Sequence, residues 1–323
     1  MKEINHYLEL IETNINDQHF DGSPRSLYEP IRYILSLGGK RLRPMLTLLS
    51  YNLYRKDVEK AVPFAVAVEA FHNFTLMHDD IMDHAPLRRG KPTVHEKWNV
   101  STAILSGDVM LVKVYEMLLG LEESKLRRVL GLFNACATGV CEGQQWDMEF
   151  ESRKTVTKKE YIHMIRLKTA VLLGFALELG AVLADAPEKD ALVLRDAGEQ
   201  LGIGFQLKDD LLDVYADKKK FGKQVGGDII ANKKTYLLIH ALQQARGADK
   251  KELNNWLQKK TFNKRRKVAA VTALYDRLGV RRAAEAQVAE HFNLGFESLK
   301  SLSSQANTST LVSFAEALAD RQR

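Results

Sequence analysis

Six aspartates carry the first chemical signal in this chain. His78-Asp79-Asp80-Ile81-Met82-Asp83 ends one apolar stretch and Lys208-Asp209-Asp210-Leu211-Leu212-Asp213 ends another, so the DDxxD spacing occurs twice. On a helix, positions i, i+1 and i+4 project from neighbouring faces, which stacks Asp79 and Asp83 one above the other with Asp80 beside them. Like charges placed so destabilise a helix. A hard divalent cation removes that penalty, and Mg²⁺ typically takes one or two carboxylates together with the phosphate oxygens of a substrate. A single triad reads more simply as a solvated polar helix end. Two triads in matching apolar contexts imply one polynuclear Mg²⁺ site and a diphosphate substrate.

Basic residues near the acidic ones fit the same chemistry. In Gly38-Gly39-Lys40-Arg41-Leu42-Arg43-Pro44 the glycines let backbone approach a ligand closely, and Lys40 and Arg43 share a helix face at i, i+3. Leu87-Arg88-Arg89-Gly90-Lys91 follows the first triad directly. Arginine offers a planar fork to phosphate oxygens and lysine a point charge. Taken singly, each group reads as a surface patch; beside two acidic triads, each reads as a diphosphate grip.

The elements that must hold these residues are helices. From Ala61 to Asp83 the apolar positions Val62, Ala65, Val66, Val68, Phe71, Phe74 and Met77 recur every three or four residues, which predicts a helix ending on the first triad. Further helices are expected near 3–16, 29–52, 101–120, 124–150, 158–184, 189–216, 232–246, 250–258, 266–300 and 307–320. The loop between Asp83 and Ser101, rich in Pro, Arg and Gly, and the loop between Asp217 and Asn232, with Gly222, Gly226 and Gly227, each follow a triad and are expected to close over a bound substrate.

The seven prolines all lie at or before position 187, leaving the rest of the chain free for long helices, since an interior proline costs about 3 kcal/mol. No linker composition or fixed-period repeat marks a boundary, so residues 1–323 are expected to form a single all-α domain. The N-terminal residues lack the apolar core of a signal peptide and no apolar run is long enough for a membrane span, which predicts a cytoplasmic protein with no membrane span. Two cysteines at i, i+5 give neither a disulfide framework nor a zinc spacing. The net charge of +6 and pI of about 9.1 suit an anionic ligand. The basic run Lys259-Lys260 with Lys264-Arg265-Arg266-Lys267 reads as a solvated helix start; no nucleic-acid signature accompanies it, and no nucleic-acid partner is expected.

Taken together, these markers resemble the trans-isoprenyl diphosphate synthases, the prenyl-chain-elongating family. In order they are Gly39-Lys40-Arg41-Leu42-Arg43-Pro44, His72, Asp79-Asp80-Ile81-Met82-Asp83, Leu87-Arg88-Arg89-Gly90, Lys168-Thr169, Phe205 through Asp213, and Phe221-Gly222-Lys223. The resemblance implies an isoprenoid-synthase-type bundle of long antiparallel helices around a central substrate cavity, working as a homodimer. It implies three Mg²⁺ per active site, two held by Asp79 and Asp83 and one by Asp209, with Asp80, Asp210 and Asp213 as supporting ligands. Arg88, Lys168 and Lys233 would bind the same allylic diphosphate (dimethylallyl, geranyl or farnesyl), whose ionisation leaves a carbocation that isopentenyl diphosphate attacks. The isopentenyl diphosphate would be held without metal by Gly39, Lys40, Arg43, His72 and Arg89, with Phe205 against its tail. Thr169 and Gln206 would face the developing cation.

Phe74 and Thr75 precede Asp79 by five and four residues, about 6–7.5 Å along the axis at 1.5 Å per residue. Phe74, whose ring leans toward the helix N-terminus, is expected to form the floor met by the growing chain. An aromatic residue there with an uninserted DDxxD is similar to the geranylgeranyl pattern; a C20 product is favoured, with C15 farnesyl diphosphate next. The alternative is a non-catalytic or chain-length-setting subunit of a heteromeric synthase, although such relatives tend to lose parts of the triads. Terpene cyclases normally carry a different second metal motif and need no isopentenyl diphosphate grip. Glu69-x-x-His72 and Glu160-x-x-His163 also spell a di-iron ExxH motif, but that reading leaves the triads unexplained. Ala103-Ile104-Leu105 and Val109-Met110-Leu111 are candidates for a dimer contact.

Overall fold

The computed structural model describes residues 2–18, 20–216, 226–303 and 308–320. Phe221-Gly222-Lys223 and most of the second expected loop lie outside the described residues. Among the described residues the regular structure is all-α, apart from one two-stranded hairpin. The helices are α1 (Lys2–Asp17), α2 (Arg25–Ser36), α3 (Leu42–Asn52), α4 (Val62–Met82), α5 (Val94–Lys97), α6 (Val100–Leu118), α7 (Glu123–Ser152), α8 (Lys158–Ile165), α9 (Val171–Leu183), α10 (Glu188–Tyr215), α11 (Gly227–Ala231), α12 (Tyr236–Gln244), α13 (Gly247–Gln258), α14 (Lys264–Arg277), α15 (Val280–Lys300) and α16 (Ser309–Ala319). No described helix is long and apolar enough to cross a membrane.

The chain groups into two compact units. The first comprises Met1–Ala135, Phe175–Arg195 and Ser303–Thr308, and the second Cys136–Gly174, Asp196–Leu302 and Ser309–Arg323. In the first unit, α4 is buried along most of its length and packs on α6 and α3. His78 of α4 lies so close to Gly107 of α6 that a side chain there would meet the imidazole. Phe71 packs edge-on against Phe133 at 5.1 Å, and Phe133 lies 5.9 Å from Phe175. The second unit closes around Leu207, Leu237, Leu274, Val280 and Ala284, all fully buried.

Several expected elements are divided by backbone geometry that apolar periodicity does not encode. The helix expected over 29–52 is two helices, because Gly38, Gly39 and Arg41 all take positive φ (73°, 150° and 45°) and turn the chain between α2 and α3. That over 266–300 breaks at Gly279. That over 158–184 is continuous but contains a π-helical turn, Arg166–Ala170, between α8 and α9. Residues 83–101, expected as a loop, hold α5 and the hairpin β1 (Leu87–Arg88) and β2 (Lys91–Pro92), joined by Arg89 and Gly90. Both linking residues have positive φ, 53° and 75°, as a type I′ hairpin turn requires. Tyr33 pins the hairpin by donating to the Pro92 carbonyl at 2.8 Å.

Candidate active site

Both acidic triads end their helices. Asp79 and Asp80 lie in the last turn of α4 with Asp83 as its C-cap, and Asp209, Asp210 and Asp213 occupy the last two turns of α10. This is the end of a helix where the backbone dipole is negative and a carboxylate is disfavoured by about 0.3–1 kcal/mol. Each triad therefore sits where a bound cation relieves repulsion both between side chains and with the helix.

In the first unit Arg88, delivered by the hairpin, grips Asp80 with both arms, Nε to Oδ2 at 2.7 Å and Nη2 to Oδ1 at 2.8 Å. Asp80 is 2% exposed; burial pushes its carboxyl above the usual range while Arg88 acts the other way. Asp79 is partly open and lies 3.9 Å from Arg88, and Asp83 is exposed. The central aspartate is thus the most deeply buried of the three and the one Arg88 grips with two hydrogen bonds, and Asp79 and Asp83 are more open.

Beside this triad the structure gathers Arg43, His72 and Arg89. Arg43 Nη1 approaches His72 Nε2 at 3.1 Å. The guanidinium has only donors, so Nε2 must accept and the imidazole is neutral, with its proton on Nδ1. Burial drives the His72 pKa well below its ordinary value, and the charges of Arg43, Arg88 and Arg89 drive it further. The Arg89 guanidinium lies against Gly39, where a Cβ would come within 2.8 Å of Nη2, and the Gly39 φ of 150° is one that side-chain-bearing residues rarely adopt. Lys40 is exposed on the same loop. Arg41, between the two, points inward: it donates to Glu12 and Glu69, each at 2.8 Å, and to the Leu35 carbonyl at 3.0 Å.

In the second unit a cavity of ≈ 90 Å³ is lined by Asp147, Tyr161, Lys168, Thr169, Gln206, Asp210, Asp228 and Lys233, among others. Lys168 and Thr169 project from the π-helical turn, a distortion frequent at functional sites. Asp147 of α7 receives both lysines, Lys168 at 2.6 Å and Lys233 at 3.4 Å. Burial acts to raise the Asp147 carboxyl, and Lys233 and Lys168 outweigh it, leaving the pKa below its ordinary value. Thr169 donates to Gln206 at 3.3 Å, Gln206 to Asp210 at 3.2 Å, and Tyr161 closes the chain by donating to Asp210. Asp210 is 4% exposed; burial and then Asp228 hold its carboxyl well above the usual range. Asp213 accepts from the backbone N–H groups of Gly227 (3.2 Å) and Asp228 (3.0 Å), capping the start of α11. Asp228 itself is pushed up to about 6, by burial and then by the charge of Asp213. Crowded carboxylates of this kind, with oxygen donors only, are the donor set Mg²⁺ takes, although no three of these groups, among the described residues, already converge as a complete metal site.

The polyprenyl synthetase family model matches residues 24–275. The chain belongs to that family. It is 44% identical over 228 residues, 70% of its length and 69% of the relative's, to a short chain isoprenyl diphosphate synthase of Methanocaldococcus jannaschii. To the short chain isoprenyl diphosphate synthase of Methanothermobacter thermautotrophicus it is 34% identical over 98% of its length and 97% of the relative's. It matches the crystal structure of a geranylgeranyl pyrophosphate synthetase from Pyrococcus horikoshii with a TM-score of 0.91 and 34% identity, covering 99% of this chain and 98% of that one.

Within this polyprenyl synthetase each unit holds one triad with its basic partners. Phe205 is half-buried and packs on the core of the second unit. Phe74 is 9% exposed, its ring 4.7 Å from that of His78, and the Thr75 hydroxyl donates to the His72 carbonyl at 2.7 Å. Asp147, Tyr161 and Asp228 join the cavity without having been singled out from sequence. Asp147 is one of several acids on a long helix, with Glu149 and Glu151 close behind it and no DDxxD spacing to single it out; Tyr161 reads as core, and Asp228 follows a glycine pair. The ExxH glutamates have other tasks: Glu69 pairs with Arg41, and Glu160 closes a capping box with Thr157 at the start of α8.

Proposed function

We propose that this prenyltransferase condenses isopentenyl diphosphate with an allylic diphosphate by ionisation, condensation and elimination, with C20 geranylgeranyl diphosphate as the favoured product and C15 next. The observation that carries the reading is the pair of triads, each ending a helix beside basic residues, in a chain that belongs to the polyprenyl synthetase family. The whole chain is proposed to act as one functional domain, in the cytoplasm.

Asp79, Asp83 and Asp209 are assigned to Mg²⁺, three ions in all, and Asp213 to support. Bound Mg²⁺ supplies Lewis-acid neutralisation of the allylic diphosphate as leaving group. Asp80 and Asp210, both engaged by protein donors, fix Arg88 and Gln206 as much as they support metal. Arg88, Lys168 and Lys233 add positive charge to the allylic diphosphate. Gly39, Lys40, Arg43, Arg89 and neutral His72 hold the isopentenyl diphosphate, so that it is bound but not ionised, with Phe205 along its tail. Thr169 and Gln206 orient their oxygens toward the allylic cation. The proton lost on elimination goes to the released diphosphate.

Incubation with Mg²⁺, isopentenyl diphosphate and each of the dimethylallyl, geranyl and farnesyl primers, read by mass spectrometry, tests this directly. C20 product is expected, and Phe74→Ala is expected to lengthen it by at least one five-carbon unit. Absence of product from every primer would sink the reading, and unchanged length in the variant would remove Phe74 as the floor.

A homodimer is proposed through the outward face of α6. Ala103 and Met110 of the expected contact are buried within the unit, whereas Ile104, Leu105, Val112 and Leu119 are 41%, 57%, 55% and 59% exposed on one helical stripe. Leu105→Arg with Val112→Arg is expected to convert dimer to monomer in sedimentation velocity; a dimer that persists would move the interface elsewhere.

A further inference from the structure

The π-helical turn that presents Lys168 and Thr169 is flanked by glycines on two helices. On the α7 side, a Cβ at Gly143 would fall on the backbone nitrogen of Lys168, 2.6 Å from its Cα and 2.7 Å from the Leu167 carbonyl carbon. On the α10 side, a Cβ at Gly202 would lie 2.6 Å from the Ala170 Cα and 2.7 Å from its Cβ. Ordinary carbon contacts lie at about 3.5–4.0 Å, and backbone atoms cannot rotate aside as a side chain can. Gly139, one turn earlier on α7, meets nothing nearer than Leu167 Cδ2 at 3.5 Å. The need for a bare backbone is therefore local to the point where α7 passes Lys168. Asp147, which takes the Lys168 ammonium at 2.6 Å, stands one helical turn beyond Gly143 on the same helix.

We propose that Gly143 is a positioning residue for Lys168: its missing side chain lets α7 lie against the π-helical turn, so that Asp147 receives the ammonium and aims it at the allylic diphosphate. The proposal rests on the prenyltransferase reading above. A methyl group at position 143 would push the turn off α7 by about 1 Å, the scale of displacement that lowers rates by up to about 10²-fold.

The test is a double-mutant cycle of Gly143→Ala and Lys168→Ala, with Gly139→Ala as control and folding checked by circular dichroism. Gly143→Ala is expected to lower kcat/KM for the allylic substrate by about 10–100-fold. It should leave the isopentenyl diphosphate KM within about twofold, and add less than about twofold in the Lys168→Ala background, because the two changes act through one group. Gly139→Ala should leave activity unchanged. Fully additive effects, or a folded Gly143→Ala enzyme with wild-type allylic kinetics, would overturn the proposal. Should Gly143→Ala fail to fold, Ala170→Gly loosens the same turn without adding an atom: a lowered allylic kcat/KM supports the proposal and an unchanged one overturns it. If the wild-type protein turns over no primer, the functional reading fails separately, and calorimetric affinity for inorganic pyrophosphate with Mg²⁺ carries the same cycle to the same two outcomes.

Discussion

Asp79→Asn is expected to lower kcat by about 10²–10³-fold, with a raised Mg²⁺ concentration for half-maximal activity. The two changes belong together. At the end of α4 the central carboxylate, Asp80, is buried and gripped by Arg88 at 2.7 and 2.8 Å, whereas Asp79 is half-buried and Asp83 exposed, more accessible to a dication. Asparagine keeps the shape and one oxygen but removes the charge that offsets a dication. Metal stabilisation of a leaving group supplies several kcal/mol, and each 1.36 kcal/mol is a factor of ten in rate, so forfeiting about half gives the stated range. Asp80→Asn should behave differently: it frees Arg88, and its effect should appear in the allylic KM and in thermal stability before it appears in the Mg²⁺ requirement. An Asp79→Asn enzyme within threefold of wild type across the Mg²⁺ titration would remove Asp79 from the metal site.

Arg41→Ala is expected to destabilise the fold by about 3–5 kcal/mol, the usual consequence of leaving a buried charge unpaired. At the roughly 2–4 °C per kcal/mol of larger domains, the melting temperature should fall by on the order of 10 °C. The side chain of Arg41 is 1% exposed and that of Glu69 3%, while Glu12 of α1 and the Leu35 carbonyl of α2 complete the cage. One guanidinium thereby joins α1, α2 and α4 to the loop that carries Gly39, Lys40 and Arg43. Arg41→Met with Glu69→Leu, which removes both buried charges, should recover part of the loss. Differential scanning calorimetry of the three proteins decides the matter: an Arg41→Ala melting point within 2 °C of wild type would show that the pair holds nothing together. Because the same loop carries the proposed isopentenyl diphosphate grip, the surviving folded fraction should also show a raised isopentenyl diphosphate KM.

Arg41 also marks the limit of sequence reading. In Gly39-Lys40-Arg41-Leu42-Arg43 three basic residues stand within four positions, and nothing local distinguishes the one that turns inward from the two beside it. The left-handed backbone at Arg41, φ 45°, and a glutamate on each of two other helices make the distinction. The hairpin is illegible for a similar reason: strands of two residues have no periodicity.

What the sequence by itself determined is the family, with its prenyl transfer, and the helices that end on the two triads. Two DDxxD spacings, the basic groups beside them and the apolar periodicity of 61–83 are local patterns, and local patterns suffice to carry the resemblance to prenyltransferases and an all-α fold. What only the tertiary structure decided is which member of each pattern faces inward and which distant residues complete it. Asp147, Tyr161 and Asp228 meet Lys168, Asp210 and Asp213 across large separations in the chain, and Gly143 matters because another helix's backbone occupies the space its side chain would fill. Such relations depend on through-space distance, and no window of neighbouring residues contains it.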